Sequence, residues 1–238
     1  MKTVHLNNVD HHALRVERRY SAEFGHGVNQ ALLSPAEFED AQREYPILFR
    51  RDDEGDFQAI ALLGFNRGEN LFLAPDQWDA RFIPAEMRRG PFFLREVEDS
   101  SGSLALAPFI DLDDPRLDEA KGEPLFLSLG GNAPYLEEVV TALRIIQERA
   151  AETRAMFSMF LELDLIQPVS INIQLADRCE YRIPEVFSID TAQFSALAPD
   201  KLKRLQASGF LSHAIFARSS LHNINRLVEL KAAKVANG

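Results

Sequence analysis

The stretch "ILFRRDDEGDFQAIALLGF", Ile47 to Phe65, decides the fold class. Two apolar runs flank the charged segment Asp52–Asp56, which contains Gly55. Apolar runs joined by a short polar segment with a glycine read as an antiparallel hairpin. Further along, "ENLFL" reads as a third short strand after Arg67–Gly68. "FFLREVE" and "SLALAPFIDL" read as two more, joined across Ser100–Gly102. The N-terminal half is therefore expected to be largely antiparallel sheet.

Helix signals flank this region. "SPAEFEDAQREYP" offers Ser34 as N-cap, Pro35 at the first helical position and Glu37 at the third, with Pro46 as terminator. From Pro134 to about Leu163, Leu136, Val139, Val140, Leu143, Ile146 and Ala150 recur at helical spacing, continued by Met156, Phe157, Phe160 and Leu161. "PVSINIQL" and "CEYRIPEVFSI" alternate as paired strands around a turn at Ala176–Asp177–Arg178. Asp190 suits an N-cap, Pro199 opens a helix that Gly209 closes, and one last helix is expected from about Phe210 to Ala236. The fold class is α+β, read as a single domain over residues 1–238. The first thirty residues are expected as an extended arm carrying one short strand, and 111–122 is the candidate subdivision.

The chain has 238 residues, 46% hydrophobic and 26% charged, enough to bury a sizeable core. Seventeen phenylalanines stand against one tryptophan and four tyrosines, and rings without a polar handle belong inside. A net charge of -10 offers no excess of cations to displace counterions from a phosphate backbone, so no nucleic-acid partner is expected. No run of 18 apolar residues occurs, so no membrane span is expected. The first twenty residues lack the apolar stretch of a signal peptide, and the expected address is the cytoplasm. Cys179 is the single cysteine, which excludes an intramolecular disulfide and a Cys-rich zinc site.

Three blocks carry a family resemblance: "YPILFRRDDEGDFQAIALLGFNRGENLFL", "WDARFIPAEMRRGPFF", and the closing series "LDLIQP…INIQLAD…FSID…L…G…HNINRL". In this order, covering roughly Ala31 to Lys231, they resemble the SapC family of bacterial proteins. One departure is Gly90, where the family pattern carries an aromatic residue. Members carry S-layer-related or peptide-transport-related descriptions. They tend to lie near genes for TonB-dependent receptors, cupin-like hydroxylases and flavin-dependent halogenases. The resemblance implies an accessory role in nutrient uptake or in modifying a peptide or protein, by association rather than by mechanism.

No catalytic set emerges from the residues. Asp10, His11 and His12 are metal-ligand types, but neighbouring side chains on an extended arm diverge, so no metal site is assigned. Ser219, Ser220 and His222 lack a partner acid in the sequence, and no G-x-S-x-G elbow occurs. The segment Gly68–Phe93 holds Trp78 together with Arg88 and Arg89. Either these present a guanidinium beside an aromatic face to an anionic or peptide ligand, or the arginines pair with Asp76, Asp79 or Glu86 and staple the loop. Asn223, or Asn225 beside it, is a further pocket-lining candidate on the last helix. The expectation is thus a non-enzymatic binding protein with Trp78, Arg88, Arg89 and Asn223 as ligand contacts and no cofactor. A peptide or protein is the expected partner, and an oligomer stays open. The alternative is a metal-dependent, hydroxylase-like enzyme using the histidine-rich N-terminus.

Overall fold

The computed structural model describes residues 2–98, 102–174 and 180–237. In chain order the strands are β1 (Thr3–His5), β2 (Arg15–Val16), β3 (Gln30–Leu33), β4 (Ile47–Arg51), β5 (Phe57–Leu62), β6 (Leu73–Ala74), β7 (Gln77–Trp78), β8 (Phe92–Glu98), β9 (Leu104–Asp111), β10 (Leu117–Asp118), β11 (Glu123–Pro124), β12 (Ile166–Gln174) and β13 (Glu180–Ile189). The helices are α1 (Phe38–Ala41), α2 (Ala85–Arg88), α3 (Pro134–Glu162), α4 (Thr191–Ser195), α5 (Pro199–Ala207), α6 (Leu211–Ser220) and α7 (Asn223–Asn237). This is an α+β fold with antiparallel sheet concentrated in the N-terminal half, and every strand pairing recorded is antiparallel. The chain forms two compact units, Met1–Tyr20 with Ala85–Gln147, and Ser21–Pro84 with Glu148–Gly238. The long helix α3 contributes its first half to one unit and its second half to the other.

In the first unit β9 lies between β1 and β8, with Val4 opposite Ile110 and Phe93 opposite Phe109. Strand β2 joins β10 and β11. Leu6, Val16, Phe92, Ile110 and Leu125 form a core with Tyr135, Leu136, Val139 and Leu143 of α3. The N-terminal residues are therefore tied into this unit rather than forming an arm: β1 completes a sheet, and Leu6 and Val16 are buried. Strands of two or three residues carry too little alternation to read as a period. The stretch 111–122 lies inside this unit, where Asp114 holds the buried guanidinium of Arg116 through two bonds of 2.9 and 2.7 Å.

The second unit is built on a five-stranded sheet in the order β12-β13-β4-β5-β3. Ile47, Leu48 and Phe49 of β4 are all fully buried. Successive strand residues point to opposite faces, so this sheet is covered on both. Phe157 of α3 meets Phe49 edge-on at 4.9 Å, and α6 packs against β4 and β13.

The C-terminal region differs from the single helix expected, because α6 ends at Ser220 and α7 starts at Asn223. Ser220 Oγ accepts the N–H of Ile47 at 2.8 Å. Asn223 Nδ2 donates to the carbonyls of Gln42 and Tyr45 at 2.8 and 3.1 Å. Ser220 Oγ also donates to the Ala217 carbonyl three residues back, a local bond that competes with the helix ladder, and α6 ends at this residue. The expected turn at Ala176–Asp177–Arg178, together with Cys179, lies outside the described residues.

Candidate functional site

Between the β4–β5 turn and the second half of α3 the second unit holds a cleft of about 470 Å³. The turn is rigidly made. Gly55 has φ 90°, a conformation that suits glycine. The Asp52 carboxylate accepts the N–H groups of Glu54 and Asp56 at 3.1 and 2.9 Å and the amide of Gln58 at 2.9 Å. Asp52 is thus a turn organiser, as its position in the sequence suggests. Arg51 donates to the Gly55 carbonyl at 2.6 Å and lies 4.2 Å over the Phe57 ring.

The cleft floor is apolar: Leu33 and Ala59 from the sheet, with Phe57 stacked on Phe157 at 5.4 Å and 26°. Its α3 rim carries the half-buried Arg149, the exposed Arg154 and Ser158, and Leu161, which is 49% exposed. Among the described residues Arg154 makes no ion pair. Thr153, also in the lining, is 8% exposed, and its hydroxyl is buried without a hydrogen-bond partner among the described residues. A buried hydroxyl in that state loses its hydration and recovers nothing, which makes it a candidate contact for an occupant.

The sheet edge along this cleft is incomplete. Strands β4 and β5 pair as far as Arg51 opposite Phe57, whereas β3 and β5 stop at Leu33 opposite Ala59. Phe57 and Gln58 therefore extend past the end of β3 and are paired on the β4 side only, among the described residues.

The residues singled out from the sequence are placed elsewhere. Trp78 is 8% exposed, and its indole N–H donates to Tyr45 Oη at 2.8 Å. Arg89 pairs with Glu86 at 3.5 Å and donates to the Phe92 carbonyl at 3.0 Å, so it takes the stapling option. Arg88 lies within electrostatic reach of Tyr20, whose phenol is pushed up by burial. Trp78 belongs to the second unit and the arginine pair to the first. Asn223 is engaged with the Gln42 and Tyr45 carbonyls. The hollow beside Trp78 offers arginines that are already paired: Arg43 with Glu39 and Asp40, and Arg226 with Glu44.

The N-terminal histidines serve a turn: His11 Nδ1 meets the backbone of Asn7, and His12 Nδ1 lies 3.1 Å from the Val9 carbonyl. No three His, Cys, Asp or Glu side chains gather as metal ligands among the described residues. Ser219 donates to Gln42 Oε1, and Ser220 to the Ala217 carbonyl.

The family model described as SapC matches residues 6–227. The chain belongs to the SapC family. No curated protein and no solved structure matches it at a significant level. In this SapC chain Gly90 has φ 58°, and a Cβ placed there would come within 3.2 Å of Tyr135 Oη. An aromatic residue at this position would be strained on this backbone, so the local conformation favours glycine. The cleft of the SapC chain was readable only faintly. Ala150, Thr153, Phe157 and Phe160 follow one helical stripe, and Thr153 is the hydroxyl on it.

Proposed function

We propose that this SapC-family chain is a non-enzymatic cytoplasmic accessory protein that recognises a peptide or protein partner in a nutrient-uptake or surface-layer system. The observation that carries the reading is the cleft between the β4–β5 turn and α3, whose apolar floor is bordered by acids on the turn and arginines on α3. Concave sites with an apolar base and a few polar groups suit binding. In this reading the cleft makes the contacts. Trp78, Arg89 and Asn223 act as supports, since their polar atoms are engaged within the fold.

The experiment uses Ser158→Trp, which places an indole in the cleft from an exposed position on α3. The native chain and the variant are immobilised side by side and exposed to extract of the cell of origin. A polypeptide held by the native chain and lost from the equally stable variant is the expected result. Identical retained sets would remove the cleft from the function.

A further inference from the structure

The incomplete sheet edge constrains what can occupy the cleft. An extended peptide can add to a strand edge through main-chain hydrogen bonds, with alternate side chains entering pockets. Here the open edge is only Phe57 and Gln58, because β3 takes over opposite Ala59. A strand entering beside Phe57 meets Leu33 and can go no further. The edge has room for the end of a chain, not for the middle of one.

Charge selects which end. Ser34, directly after β3, donates its hydroxyl to Glu152 of α3 at 3.0 Å, which sets this turn of α3 level with the point where β3 leaves the sheet. Beside Glu152 the cleft is lined by Arg149, Thr153 and Arg154. The Glu152 carboxylate accepts from Ser34, and the acids of the lining, Asp52, Glu54 and Asp56, all belong to the β4–β5 turn, which faces the arginines of α3 across the cleft. A guanidinium next in the chain to an unpartnered buried hydroxyl, as Arg154 is to Thr153, suits a carboxylate. Phe57, Phe157 and Leu161 supply an apolar wall for the side chain next to it.

We propose that the cleft receives the C-terminal residues of a peptide or protein: the terminal carboxylate at Thr153 and Arg154, the last side chain apolar, and the backbone along Phe57–Gln58. This rests on the binding role proposed above and names its ligand class.

The test immobilises the full chain and offers two random N-acetylated octapeptide libraries, identical except that one ends in a carboxylate and the other in a carboxamide. The expected result is about tenfold greater retention of the acid library, the size of one charge-assisted contact pair. Retained peptides should be enriched in apolar last residues. Arg154→Glu, at an exposed position, should abolish the preference, and Ser158→Trp should abolish retention, with thermal melting unchanged in both. Equal retention of the two libraries, both lost in Ser158→Trp, overturns the C-terminal assignment and leaves the peptide-binding role intact. Retention of neither library by the native chain overturns both. A preference that survives Arg154→Glu and Ser158→Trp overturns the location. Free hexanoate displacing the acid peptides at equal concentration overturns the peptide in favour of a small carboxylic acid.

Discussion

The indole N–H of Trp78 donates to the phenol oxygen of Tyr45 at 2.8 Å, and the same phenol donates to the carbonyl of Phe82. Tyr45 is fully buried. Burial pushes its phenol up, the bond from Trp78 opposes this only in part, and the group stays protonated as the donor that Phe82 needs. The ring is also 4.8 Å from Phe72, edge to face. The segment after Gly68 has little regular structure, and this chain of contacts anchors it.

Tyr45→Phe removes one oxygen that satisfies two groups. It leaves the Trp78 N–H and the Phe82 carbonyl to find new partners, at an expected cost of about 2 kcal/mol. Urea unfolding followed by far-ultraviolet circular dichroism, a probe that survives replacement of the single tryptophan, measures it. A double-mutant cycle with Trp78→Phe should return a coupling of about 1 kcal/mol, and a coupling of zero would show the bond to be incidental.

Lys231 Nζ and Glu69 Oε1 are 2.6 Å apart, with side chains 9% and 11% exposed. Burial raises the Glu69 carboxyl, but bonds from Lys231 and the N–H groups of Phe65 and Asn66 outweigh it, leaving it below the usual range. A depressed carboxyl contributes stability that is present above its unfolded pKa and lost as pH falls through the folded one. Lys231 is depressed by burial and raised more by Glu69, for a net rise, so its contribution is lost only as strongly alkaline pH is approached. Lys231→Met is expected to cost about 3 kcal/mol at neutral pH, the penalty of a stranded buried carboxylate. The difference from the native chain should narrow in acid, once Glu69 is protonated. Unfolding measured at neutral and acid pH checks both parts, and a gap independent of pH would rule out the ion pair as its source.

Thr153→Val exchanges an unpartnered buried hydroxyl for a methyl of similar shape. The variant should be more stable, by about 1 kcal/mol, because a desolvation penalty disappears. Retention of the C-terminal carboxylate peptides should fall at the same time. Gain in stability with loss of binding marks a residue kept for a ligand. A loss of stability would show that the hydroxyl serves the fold.

Gly90→Phe tests the departure from the family pattern. With φ at 58° the new side chain is expected to cost about 1–2 kcal/mol, and Tyr135 must yield to its Cβ. A shift in thermal midpoint toward greater stability would show that the backbone here relaxes freely.

Much of the secondary structure was legible because its causes are local. Asp52 and Gly55 make the β4–β5 turn from within. Asp190 Oδ1 accepts the N–H groups of Ala192 and Gln193 at 2.8 and 3.0 Å, as its place before α4 implies. Helix α3 follows an apolar stripe that needs no knowledge of its partner. On β12, Ile171 and Ile173 are buried while Ser170, Asn172 and Gln174 are exposed, as alternation requires. The site residues were less legible. Trp78 and Asn223 read as ligand contacts in one dimension, and their bonds to Tyr45 and Gln42, distant in the chain, leave no trace in the sequence.

The amino-acid sequence by itself determined the element types, the turn at Asp52–Gly55 and membership of the SapC family, since each depends on residues close in the chain or on a linear pattern. Tertiary structure alone decided the interleaving of two units along one chain, the break between Ser220 and Asn223, and the open edge at Phe57–Gln58. That edge exists because β3 stops two residues short of β4 against their shared neighbour β5. Relative register is a property of segments that meet only on folding, so it leaves no period in the sequence to be read.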